Sequence, residues 1–136
     1  MTGGGRVEMS NLRIFKEKKP ATVLALMLLG TPAVAQEAVC SFSLECFESE
    51  TCAETAFEIT LNAKQADADD FQITTDAETV TGKGHMTEAG GFLFQGGNAD
   101  GAALLTVGAQ GAARYSVQYF EGPMVITYHG QCGEFF

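Results

Sequence analysis

From Val39 onward apolar and polar residues alternate with a period of two, the spacing that sends successive side chains to opposite faces of a pleated strand. In Val39 to Cys46 the residues Cys40, Phe42, Leu44 and Cys46 share one face, with Ser41, Ser43 and Glu45 on the other. The acidic stretch Phe47 to Thr55 breaks the alternation and reads as a loop or one irregular helical turn held by Cys52. Alternation resumes in Ala56 to Ala63, where Phe57, Ile59 and Leu61 point inward, and again at Phe71 and Ile73 after the acidic connection QADADD.

Five more strands follow at regular spacing. Glu78 to Met86 places Val80, Gly82, Gly84 and Met86 on one side, its glycines marking a bulge or sharp bend. Gly91 to Gln95 and Ala102 to Val107 are separated by the turn GGNADG, rich in residues that tolerate positive φ. In Ala112 to Phe120 the residues Ala113, Tyr115, Val117 and Tyr119 alternate with Arg114, Ser116 and Gln118. In Pro123 to Gly130, Met124, Ile126 and Tyr128 oppose Val125, Thr127 and His129.

About eight short strands with turn chemistry between them predict an all-β fold, a small antiparallel up-and-down barrel or a sandwich. The barrel is preferred. Each connection is short enough for a hairpin, and closure removes the edges that an open meander leaves exposed.

Residues 1–35 stand apart from this pattern. Arg6, Arg13, Lys16, Lys18 and Lys19 precede the uncharged run Ala21 to Ala35, which ends in Ala33-Val34-Ala35, the arrangement of a secretory signal peptide cleaved before Gln36. The apolar run is interrupted by Gly30, Thr31 and Pro32 and falls short of the ~20 residues that span a bilayer. One β domain, 36–136, is therefore expected in an exported, periplasmic or extracellular setting. Glu37 ahead of Cys40 argues against a lipidation signal.

Export changes the charge. Five of the 8 Lys and Arg and two of the 17 Asp and Glu leave with the segment, so three cations, Lys64, Lys83 and Arg114, face fifteen carboxylates. A net charge of about −12 repels nucleic acid and anionic membrane and favours cationic partners. It also serves solubility alone.

Four cysteines in an exported domain of this size predict disulfides. An extended Cys40–Cys46 segment separates those two by roughly 20 Å, beyond the reach of a bridge. In an even-numbered meander the start of the first strand lies beside the end of the last. That pairs Cys40 with Cys132 and leaves Cys46 for Cys52, whereas an odd strand count would pair Cys46 with Cys132.

Other chemistry is weaker. Asp67, Asp69, Asp70 and Glu78 imitate part of a calcium loop, but Phe71 and Gln72 stand where an oxygen ligand and the turn glycine belong. His85, Met86, Met124 and His129 are ligand types that suit copper, yet nothing in the sequence brings them together. No nucleophile motif is present, so no catalysis, metal or cofactor is expected. The terminal Phe135-Phe136 is interrupted by Glu134 and most strands are short for a spanning barrel, so no stable membrane insertion is expected.

The segment GAARY, with Arg114-Tyr115, in a small exported acidic barrel joined near its ends, faintly resembles the periplasmic inhibitors of C-type lysozyme. It covers about five residues, and the chain lacks the Trp that follows in that family, so no site residue is carried over. The expected function is a binding or inhibitor-like module for a cationic protein or small ligand. The alternative is a structural or envelope-associated domain without a ligand site. The candidate binding loop carries Glu48, Glu50 and Glu54.

Overall fold

Alternation reaches the three-dimensional structure most directly in Gly101–Val107, where buried and exposed residues succeed one another at every step. Gly101, Ala103, Leu105 and Val107 face the interior; Ala102, Leu104 and Thr106 face outward. The same rule builds the whole domain in a computed structural model, which describes residues 37–64 and 69–134. Its strands are β1 (Glu37–Phe47), β2 (Ala53–Ala63), β3 (Asp70–Thr74), β4 (Thr79–Met86), β5 (Phe92–Gly97), β6 (Gly101–Val107), β7 (Ala112–Tyr119) and β8 (Met124–Cys132). Each pairs antiparallel with the next, and β8 closes on β1, giving a closed barrel in simple meander order. The expected signal segment, Asp67 and Phe135-Phe136 lie outside the described residues.

The interior is filled. Cys40 and Phe42 from β1, Ile59 and Leu61 from β2, Phe71 and Ile73 from β3, Val80, Phe94, Leu105 and Tyr115 all belong to one buried cluster. Side chains from an eight-stranded barrel are just sufficient to occupy its lumen, and here they do. Phe42, Phe57, Tyr115 and Tyr128 form a layer of rings in mutual contact, the closest pair being Phe57 and Tyr128 at 4.2 Å between centroids. Such pairs add about 1 kcal/mol each beyond simple area burial.

Two disulfides staple the barrel. Cys40 sits opposite Cys132 in the β1–β8 register and is bonded to it; Cys46 is bonded to Cys52 across the β1–β2 connection. Gly130 makes the seam possible: a Cβ there would drive into the Ser41 carbonyl oxygen and Phe42 Cα.

Several expectations need correction. The register slips between Phe42 and Leu44, where two steps along β1 span three along β2 and one along β8, so the β1 side chains after it change face. Leu44, expected inside, is 37% exposed, and Cys46 turns outward opposite Thr127. Glu45, expected outside, turns inward opposite Tyr128. The loop expected at Phe47 to Thr55 is shorter, because β1 runs through Phe47 and β2 begins at Ala53. Strand eight continues past Gly130 to Cys132. Met86 shares the inward parity of β4 but lies at its last residue, where the core has ended, and is 49% exposed.

Candidate functional site

The meander sorts the connections onto two ends. The proximal end, where β1 begins, carries the β2–β3, β4–β5 and β6–β7 connections; the distal end carries the β1–β2, β3–β4, β5–β6 and β7–β8 connections. This sorting separates charge. Lys64, Lys83 and Arg114 all lie in the proximal half, Lys83 bridging to Asp69 and Asp70. The partnership raises the Lys83 pKa and lowers that of Asp70, chiefly through their mutual hydrogen bond. The distal end carries Glu45, Glu48, Glu50, Glu54, Asp76, Glu78, Asp100 and Glu121, and among the described residues no Lys or Arg joins them.

The predicted binding loop belongs to this end. Glu48, in a left-handed conformation at φ 52°, donates its amide to the Val125 carbonyl, and its carboxylate accepts from the Val125 amide at 2.9 Å. It therefore ties the loop to β8. Glu50 is exposed in the turn, its amide bonded to the Phe47 carbonyl; Glu54 is exposed on β2 opposite Leu44. Cys46 and Cys52 close the loop beneath them.

Beside the loop, the distal mouth gathers tyrosines and carboxylates that no sequence motif brings together. The chain has three tyrosines, and all three point to this end. Tyr128 donates its hydroxyl to Glu45 Oε2 at 3.2 Å, and Tyr119 donates to Glu78 Oε2 at 3.4 Å. Glu78 Oε1 accepts from Asn98 Nδ2 at 3.0 Å. Tyr115, only 1% exposed, stacks behind Phe57 and Tyr128, and its hydroxyl has no hydrogen-bond partner.

Burial raises the pKa of all three tyrosines. The Glu78 charge adds to the effect on each, and Glu45 adds to it on Tyr128, which reaches about 12. The two half-buried carboxylates thus share one electrostatic neighbourhood with the three phenols.

A side opening leads to this layer. β3 has five residues and pairs with β2 only from Thr60 to Ala63, so Ala53–Ile59 has no strand partner on that side among the described residues. The resulting groove, about 430 Å³, is lined by Phe42, Phe57, Glu58, Thr75 and Asp76, among others. Phe42 and Phe57 belong both to the groove and to the ring layer.

The other candidates disperse. Asp69 and Asp70 are engaged with Lys83, and the calcium pattern's Glu78 lies at the opposite end of the barrel. Met86 and Met124 likewise sit at opposite ends, and no group of three His, Cys, Asp or Glu residues suited to a metal is found among the described residues. In GAARY, Arg114 bonds the Ala113 carbonyl and Tyr115 is core.

Fold and site together define a small meander barrel with a disulfide-stapled acidic end. No family model, curated protein or solved structure matches the chain.

Proposed function

We propose that this is an exported binding module whose acidic distal end engages a cationic protein. The observation that carries the reading is the segregation of charge, with unopposed carboxylates at one end and all three domain cations in the other half. Charge that serves only solubility needs no such polarity, whereas a one-sided field steers and orients an oppositely charged partner. Phe47 and the 68%-exposed Phe120 stand on the same rim and supply apolar contact area. The two disulfides are compatible with an oxidising, exported location. The reading involves neither catalysis nor a bilayer. Of the outward residues of β7, Arg114, Ser116 and Gln118 are polar and Ala112 is not.

The filled interior supports the second reading, a structural or envelope-associated domain, to the extent that it removes the lumen as a ligand cavity. It leaves the charge segregation unexplained.

The test compares two variants of equal net charge. One carries Glu50→Gln, Glu54→Gln and Glu121→Gln at the distal end; the other carries Glu37→Gln, Glu88→Gln and Glu134→Gln at the proximal end. All six side chains are exposed. On immobilised polylysine at low ionic strength the wild type and the proximal variant are expected to be retained and released by salt, and the distal variant to elute earlier. Equal loss in both variants, or no retention of the wild type, would remove the directed-binding reading.

A further inference from the structure

The long-range field explains attraction to a cationic surface but leaves the mouth unexplained. Glu45 and Glu78 are half-buried, and neither has a cationic partner among the described residues. Each accepts a tyrosine hydroxyl, so the phenols turn their lone pairs away from the carboxylates. Behind them the Tyr115 hydroxyl is buried with no partner, a group that ordinarily costs ~1–3 kcal/mol when left unsatisfied. Beside them stand the stacked rings of Phe57 and Tyr128, and Phe57 also lines the groove between β2 and the β3–β4 turn that opens to solvent. Carboxylates, phenolic oxygens and ring faces are all acceptors for positive charge, and ring faces attract ammonium ions at short range.

We propose that this mouth is a binding site for a single primary ammonium group, the lysine side chain of a protein partner or a free alkylamine. The inference rests on the cation-binding reading above and assigns that reading a specific seat. A primary ammonium is favoured over a guanidinium by the state of the carboxylates. Glu78 already accepts from Tyr119 on one oxygen and Asn98 on the other, and Glu45 from Tyr128 on one, so a planar fork at Glu78 would compete with bonds on both oxygens. A compact ammonium with three donors can instead share Glu45 Oε1 with phenolic lone pairs and place its alkyl stem against Phe57 in the groove.

The chain itself supplies the probe. It contains no Trp and three Tyr, so its near-ultraviolet fluorescence arises from Tyr115, Tyr119 and Tyr128 alone. The full chain is titrated with n-butylammonium at constant ionic strength, with sodium, calcium and n-butylguanidinium chloride as parallel arms. A saturable change in tyrosine fluorescence is expected with butylammonium, and a weaker one with butylguanidinium. Glu45→Gln and Glu78→Gln are each expected to weaken butylammonium binding about tenfold, the loss that follows removal of a charged hydrogen-bond partner. Glu88→Gln at the other end should leave it unchanged.

Tyr115→Phe separates a binding role from a structural one. Removing an unpartnered buried hydroxyl should leave the melting temperature equal or higher, yet weaken butylammonium binding. A response matched by sodium, one that calcium reproduces at lower concentration, or equal weakening by Glu88→Gln would overturn the ammonium site. Polylysine retention that keeps its distal bias, alongside an unresponsive mouth, would overturn this inference and leave the acidic docking face standing. Loss of both would sink the two together.

Discussion

Tyr128 holds a proton that the fold protects. Burial and the Glu45 carboxylate hold its pKa up to about 12, and burial with Glu78 raises Tyr115 and Tyr119 as well. An unfolded tyrosine titrates near ~10, so the folded values lie above the unfolded ones and the protonated phenols favour the native state. That contribution is complete below about pH 10 and is lost as pH rises through the folded values. Tyrosinate absorbance of the native protein is therefore expected to lag well behind that of the urea-unfolded chain, with stability falling across the same interval. Native phenols that all ionised near ~10 would contradict the enclosed mouth. The alternation of Ala113, Tyr115, Val117 and Tyr119 already put two of these tyrosines on one face, opposite Arg114, Ser116 and Gln118, and Tyr128 shared a face with Met124 and Ile126. Glu45 was not legible. A bulge adds one residue without changing composition, so a strict period of two carried Leu44 and Cys46 inward and Glu45 outward.

The β1–β8 seam is where the meander becomes a barrel, and its two staples act differently. Cys40–Cys132 closes a sequence separation of 92 residues inside the core, whereas Cys46–Cys52 closes 6 at the distal rim. On the loop-entropy account the first restricts the unfolded chain by about 5 kcal/mol and the second by about 2. Replacing Cys40 and Cys132 together with Ala should lower the denaturant midpoint much more than replacing Cys46 and Cys52. The short-loop variant should still fold, since Glu48 continues to tie the connection to Val125. Equal losses would show that local geometry, not loop length, sets the contribution. The parity of the strand count was readable because eight separate alternating runs could be counted. The ends of β1, β2 and β8 were not, because pairing with a neighbour extends a strand into sequence that has no alternation of its own, as at Ala53–Thr55 and at Gln131-Cys132.

The barrel as an object carries an electric polarity that no local stretch of sequence announces. Acidic residues are spread along the chain, but connections alternate between ends, so the distal group gathers from four turns while Lys64, Lys83 and Arg114 remain in the other half. Like charges brought together without counter-charges oppose folding, and salt relieves that opposition as the screening length shrinks from about 30 Å at 0.01 M to about 8 Å at 0.15 M. Salt should thus raise the melting temperature, by roughly 2–4 °C across that range, while it weakens retention on polylysine. The opposite signs follow from one cause, since the field that attracts a cationic partner is the field that the folded chain must bear. If the strain is located distally, the triple variant at Glu50, Glu54 and Glu121 should melt higher than wild type at low salt and gain little from added salt. The triple variant at Glu37, Glu88 and Glu134 should keep the wild-type salt dependence, because its carboxylates lie in the half that holds the three cations. Calorimetry at the two ionic strengths reads both, and identical curves for the two variants would mean that net charge, not its placement, governs the domain.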